Sequence, residues 1–147
     1  MTEAFTEILS APFAELFRRA RAAAERAYAP YSQFKVGAAL LFDDGETVTG
    51  CNVENASYGL TSCAERNALF RAISEQGAKR RIVAIAVANL TRAASAPCGA
   101  CRQVLAEFVT EQAHIVFPDA QGEAVAPMPF ASLLPYGFVF PGKERPA

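Results

Sequence analysis

The alternation of helical and extended patterns along this chain predicts an α/β fold, a three-layer α/β/α sandwich built on a mixed five-stranded sheet. Three observations carry that expectation. Apolar residues recur at three- and four-residue steps before Pro30 and again after Ser62; short runs rich in Val, Ile and Ala lie between those stretches; and Asp-Gly and Pro signals separate one run from the next. At 147 residues, 52% of them hydrophobic and 20% charged, the chain suits one well-packed core. A single domain over residues 1–147 is expected, with a loose tail from about Pro141.

In chain order, Ser10 and Pro12 mark the start of a first helix whose apolar stripe is Phe13, Leu16, Phe17, Ala20, Ala24 and Ala27. Pro30 ends it, because proline lacks a backbone donor and restricts the residue before it. Lys35 to Phe42 and Thr47 to Val53 read as a hairpin across Asp43-Asp44-Gly45-Glu46. Ser62 is a capping residue for a second helix over Cys63 to Glu75, with Ala64, Ala68, Leu69, Ala72 and Ile73 on its apolar face. Arg81 to Asn89 has the composition of a largely buried strand. A loop through Pro97 leads to a third helix from about Gly99 to Phe108. His114 to Phe117 supplies a fourth strand, Glu123 to Met128 a fifth across the turn Asp119 to Gly122, and Phe130 to Leu134 a short helix.

Charge and cysteine content narrow the function. Lys and Arg number 14 against 15 Asp and Glu, so the strong positive field of a nucleic-acid binder is missing, and a small, weakly charged substrate fits better. No apolar run approaches the roughly 20 residues that cross a bilayer, and Met1 to Ser10 lacks a basic stretch followed by a hydrophobic one. A cytoplasmic protein without a membrane partner is expected. There, four cysteines are more often metal ligands or catalytic thiols than disulfides.

Cys98-Gly99-Ala100-Cys101 puts two thiols one helical turn apart at the start of the third helix, where both face one point. That pair alone fits a redox dithiol, half of a closed structural zinc site, or part of a catalytic one. Cys63 favours the last, because it also begins a helix, whose free N–H groups and dipole stabilise a thiolate. Three soft ligands with a fourth position left open are the pattern of a catalytic zinc, one Zn2+ per chain. Cys51, in the hairpin, is read as a packing residue. Glu65 stands two residues after Cys63, near enough to exchange a proton at the open position, although the dipole alone also favours acid in a first helical turn. The sole histidine, His114, is read as structural.

Together, Cys63-Ala64-Glu65 and Pro97-Cys98-Gly99-Ala100-Cys101 resemble the signature of the zinc nucleoside and nucleotide deaminases, in which a glutamate that does not bind the metal moves the protons. Within that class the chain is most similar to the small homotetrameric cytidine deaminases. The similarity extends through Tyr31-Ser32-Gln33-Phe34-Lys35-Val36-Gly37-Ala38-Ala39-Leu40, Gly50-Cys51-Asn52-Val53-Glu54-Asn55-Ala56 and Leu133-Leu134-Pro135, and so covers about Phe13 to Phe138.

The resemblance implies several roles. The aromatic at Phe34 would lie against the nucleoside, Asn52 and Glu54 would hydrogen-bond a sugar hydroxyl, and the Ala64 N–H would hold the base carbonyl. Tyr58 and Phe138 would reach a neighbouring subunit's site in a homotetramer. Three thiolates outweigh Zn2+ by one charge, and Arg66 would offset the excess; Arg102 is read instead as an exposed helix residue. The implied reaction is hydrolytic deamination of cytidine and 2′-deoxycytidine to uridine and 2′-deoxyuridine, a step of pyrimidine salvage, with Glu65 as proton shuttle. Deamination of a modified nucleoside such as blasticidin S is the neighbouring alternative. Outside that chemistry stand a zinc-stabilised binding protein with four ligands and a thiol-disulfide oxidoreductase using Cys98 and Cys101.

Overall fold

The computed structural model describes residues 11–143, so the helix signal at Ser10 and the last residues of the expected tail lie outside the described residues. The elements are α1 (Ala11–Ala24), β1 (Val36–Phe42), β2 (Thr47–Cys51), a short 3-10 turn (Tyr58–Leu60), α2 (Ala64–Gln76), β3 (Ile82–Asn89), α3 (Gly99–Ala106), β4 (Val109–Val116), β5 (Met128–Pro129) and a second 3-10 turn (Phe130–Leu133). The strands form one sheet in the order β2-β1-β3-β4-β5. β1 is antiparallel to both β2 and β3, β4 is parallel to β3, and β5 is antiparallel to β4. The sheet is therefore mixed and five-stranded, as expected.

Side-chain size sorts the two faces. Successive strand residues point to opposite sides, and in this sheet one side is built of alanine. Ala39, Ala84, Ala86 and Ala88 join Leu16, Phe17 and Ala20 of α1 in one buried cluster. Their neighbours Ala38, Leu40, Ile85, Val87 and Ile115 face the other way, against Ala64, Ala68, Leu69 and Ala72 of α2 and Leu105 of α3. α1 thus covers one face, and the two cysteine-bearing helices share the other. Each fully buried Leu or Ile on that second side contributes roughly 1.5–3 kcal/mol of apolar burial.

Two glycines allow the close approach of helix to sheet. A Cβ on Gly37 would lie 1.8 Å from the Ala20 carbonyl oxygen of α1, and one on Gly50 would lie 2.4 Å from the Ala68 nitrogen of α2. Gly45, at φ 87, makes the turn between β1 and β2.

Several boundaries differ from expectation, each for a local reason. α1 stops at Ala24, and Ala27 is buried in the turn that follows it. β2 ends at Cys51; Val53 makes only isolated bridges to Tyr28 and Ser62. α3 ends at Ala106 because Phe108 turns back to bond Leu105, and β4 begins at Val109 rather than at His114. The expected strand Glu123 to Met128 shrinks to Met128–Pro129. Val125 N–H bonds to Phe117 and Asp119 N–H to Glu123, which makes a local turn where a ladder was expected. At the start of the expected tail, Lys143 N–H bonds to Phe140 and its ammonium lies 3.8 Å from Glu107.

Candidate metal centre and active site

Both helices on the second face begin at a cysteine. Cys63 and Cys98 occupy the cap positions of α2 and α3 in extended conformation, and neither makes a side-chain capping bond. This corrects the assignment of Ser62 as the cap. Ser62 instead belongs to a bridge with Val53, its N–H donating to the Val53 carbonyl and its carbonyl accepting the Val53 N–H, both at 2.9 Å. Its hydroxyl donates to Asn67 Oδ1 at 2.7 Å, while Asn67 Nδ2 donates to the Cys51 carbonyl at 2.8 Å and the Ser62 carbonyl at 3.2 Å. Asn67 thus ties the residue before Cys63 to the residue before Asn52.

The approach to Cys98 is organised by Asn89, fully buried at the end of β3. Its amide nitrogen donates to Ala93 and Ser95, and its oxygen accepts from the Thr91 N–H and hydroxyl. A side-chain amide satisfied on every side fixes a loop that has no ladder of its own. Sequence reasoning passed over Asn67 and Asn89. The only signal was a residue that favours turns placed inside a helix or a strand.

The three expected thiols meet. Cys98 Sγ lies 3.5 Å from Cys101 Sγ and 3.8 Å from Cys63 Sγ, and all three lie within 4.8 Å of one another. A tetrahedral zinc with sulfur ligands at about 2.3 Å separates its ligands by about 3.8 Å, so the sulfurs fit that cation. They are too far apart for a disulfide, and all four cysteines of the chain are free. Cys51 and His114 do not join the group; His114 sits within β4, its Nδ1 2.7 Å from the Gln112 carbonyl.

The charges follow from this geometry. Cys63 is held down to about 5, since the hydrogen bond from Cys101 outweighs burial and Arg66 and Cys98 add to it. Cys101, the donor to Cys63 and itself buried beside Glu65, is pushed up. Arg66 Nη2 lies 3.5 Å from Cys63 Sγ, and that contact holds its guanidinium still more firmly protonated. Its buried Nε has no partner among the described residues. Arg102 departs from expectation: half-buried, it donates to the Pro97 carbonyl at 2.7 Å and the Leu133 carbonyl at 3.0 Å, pinning the turn that leads into Cys98.

Glu65 is 4% exposed, the one charged side chain among the buried described residues. Burial pushes its carboxyl up; the hydrogen bond from Cys101 opposes that shift, and the Cys63 charge adds to it. A buried carboxyl beside a cation site is placed to take up a proton and pass it on. Ala64, fully buried, opens α2 between Cys63 and Glu65, and its N–H is among the first-turn donors a helix leaves free.

The remaining expected residues have their own local partners. Asn52 spends part of its amide on its own chain, accepting from the Val36 N–H at 2.8 Å and donating to the Phe34 carbonyl at 2.9 Å. Glu54 takes the N–H groups of Tyr31 and Ser32 on one oxygen and the Ser32 hydroxyl on the other. The Ser32 hydroxyl, ahead of the two N–H bonds, holds the Glu54 carboxyl below the usual range. Both residues therefore shape the loop that presents Phe34, which is half-buried. Tyr58 is 75% exposed and meets Tyr31 edge to face at 6.3 Å; Phe138 is 68% exposed.

Residues 13–117 match the family model described as the cytidine and deoxycytidylate deaminase zinc-binding region. A protein of Halalkalibacterium halodurans named cytidine deaminase is 50% identical over 123 residues, 84% of this chain and 91% of the relative. Among solved structures, the cytidine deaminase from Mycobacterium tuberculosis superposes with a TM-score of 0.77 at 43% identity, covering 89% of this chain and 100% of that one. The cytidine deaminase from Burkholderia pseudomallei gives 0.74 at 46% identity, covering 94% and 100%.

Proposed function

The chain belongs to the cytidine and deoxycytidylate deaminase family, a zinc-dependent hydrolase family, and from that premise we propose that it hydrolyses cytidine and 2′-deoxycytidine to the corresponding uridines and ammonia. One observation carries the proposal: three sulfurs spaced for a tetrahedral cation lie against a buried carboxyl that hydrogen-bonds one of them and is not itself in the ligand group. Cys63, Cys98 and Cys101 are the residues that would hold zinc. When bound, the cation supplies Lewis acidity that lets water act as a nucleophile near neutral pH.

Glu65 does the proton work. Its carboxylate takes a proton from the attacking water as the oxygen adds to C4 of the base. It hands that proton to N3, then takes the proton left on the added oxygen and passes it to the departing amine, so that the C4 carbonyl forms as ammonia leaves. The Ala64 N–H holds the base carbonyl, Phe34 forms an apolar wall, and Asn52 and Glu54 orient the sugar with the capacity left after their own backbone bonds. Arg66 offsets the excess negative charge of three thiolates.

The wider setting is part of the same proposal. One catalytic domain per chain assembles as a homotetramer, which gives the exposed rings of Tyr58 and Phe138 a neighbour to meet. Four free thiols suit the reducing cytoplasm, and no helix of the described residues is long and apolar enough to cross a membrane.

The test is ammonia release from free cytidine by zinc-loaded protein, with blasticidin S and 2′-deoxycytidine in the same panel. Turnover of the two simple nucleosides is expected. A folded, zinc-loaded protein that releases no ammonia from either overturns the reading.

A further inference from the structure

α3 carries Cys98 and Cys101 on its first turn, and the next two residues both reach out to the C-terminal segment. Arg102 donates to Leu133. Gln103 does more: its Nε2 donates to the Phe138 carbonyl at 2.9 Å, and its Oε1 accepts the Phe138 N–H at 3.1 Å. One side-chain amide thereby takes both backbone groups of a single residue, as a neighbouring strand would. Phe138 belongs to no helix or strand, and its ring is mostly exposed, so ring burial within this chain does not fix it. Tyr136, at φ 58, has already turned the chain two residues earlier. The requirement on the side chain is narrow. Glutamate offers only acceptors when ionised, lysine only donors, and asparagine the same pair on a stem one methylene shorter.

We propose that Gln103 is a positioning residue: it holds the Phe138 backbone at a fixed offset from the metal-binding helix, and through that ring it sets substrate affinity without touching substrate. The effect on affinity rests on the reading of Phe138 as lining a neighbouring subunit's site. Because α3 starts at the metal ligands, the aromatic that closes one site is held by the helix that builds another. Chemistry and closure are then separable. Loss of the Gln103 bonds leaves Cys98, Cys101 and Glu65 where they are and frees only the ring.

The experiment uses full-length, zinc-loaded enzyme with cytidine, comparing wild type, Gln103→Ala, Phe138→Ala and the double variant, together with hydrogen exchange at the Phe138 amide. Gln103→Ala should raise KM roughly three- to tenfold, the scale of one or two lost hydrogen bonds. kcat and zinc content should stay as they are, and the double variant should be no worse than Phe138→Ala alone. The Phe138 amide should lose protection while that of Leu105 keeps it. An unchanged KM, a fall in kcat with loss of zinc, multiplying effects in the double variant, or equal Phe138 exchange in wild type and Gln103→Ala overturns the proposal. A Phe138→Ala enzyme with the wild-type KM refutes instead the lining role and with it the effect on affinity, and the exchange measurement then decides by itself whether Gln103 holds the segment.

Discussion

Replacing Gly50 with alanine should damage catalysis more than stability. A Cβ at Gly50 would stand 2.4 Å from the Ala68 nitrogen and 2.8 Å from both the Ala64 carbonyl oxygen and the Ala68 Cα. All three are backbone atoms of α2, so no side chain can swing aside. To reach ordinary contact the strand and the helix must part by about 1 Å, an overpacking that costs about 1–3 kcal/mol. For a domain of this size, each kcal/mol lowers Tm by about 2–4 °C. The larger effect falls on the site, because Ala64 lies between Cys63 and Glu65. A shift of that size in a reacting group costs on the order of 100-fold in rate. Calorimetry, zinc analysis and steady-state kinetics on cytidine would read the three quantities separately. Gly45→Ala is the control: at φ 87 with nothing within 4 Å of a new Cβ, it should cost about 1 kcal/mol of backbone strain and leave turnover untouched. Wild-type Tm and kcat in Gly50→Ala would refute the argument.

Other outcomes follow from the same geometry. Glu65→Gln should bind zinc and fold as before yet lose nearly all turnover; loss of zinc, seen by metal analysis, would make Glu65 structural. Arg66→Gln should lower kcat about 10- to 100-fold, since it withdraws a charge from the sulfur of Cys63, and kinetics with zinc held saturating would reveal a smaller effect as contradiction. Glu54, with its carboxyl depressed in the folded chain, contributes stability that is present above its unfolded pKa and lost as pH falls through the folded one. Ser32→Ala should raise the Glu54 pKa and move that loss to higher pH, read by NMR titration of the carboxyl. Gly37→Ala, aimed at the Ala20 carbonyl of α1 on the face of the sheet opposite α2 and α3, should prevent folding or lower Tm sharply, as circular dichroism would show.

Local patterns made most of this molecule legible. The three- and four-step spacing of Leu16, Phe17 and Ala20 gave α1, and the order of helices and strands gave the layers. The cysteine spacing located the metal centre, because two residues one turn apart must face the same way. What escaped depends on partners distant in sequence. No local signal says that Asn67 will grip Cys51, or that Gln103 will pair with Phe138, 35 residues on. Val125 within Glu123 to Met128 favours extended backbone, but a strand also needs an open edge, and Val125 found Phe117 instead. Ser62 looked like a helix cap by propensity; tertiary pairing with Val53 claimed its backbone and moved the helix start one residue on. Resemblance pointed to the sugar for Asn52 and Glu54, yet gave no hint that both also build the loop around Phe34.

The cysteines at the starts of α2 and α3 make those helices siblings with a common origin. Serine or aspartate in that position would bond the free amides and let each helix begin by itself. Cys63 and Cys98 make no such bond, so both helix beginnings meet at one knot of sulfur. Without a cation the sulfurs are held to one another only by weak hydrogen bonds, and no cap side chain bonds the first turn of either helix. Chelation should therefore loosen two helices at once, and hydrogen exchange in both first turns should quicken together. In a zinc-starved cell, the chains that cannot work would also be the ones most open to proteases, so the amount of intact enzyme would follow the supply of its metal without a separate regulator.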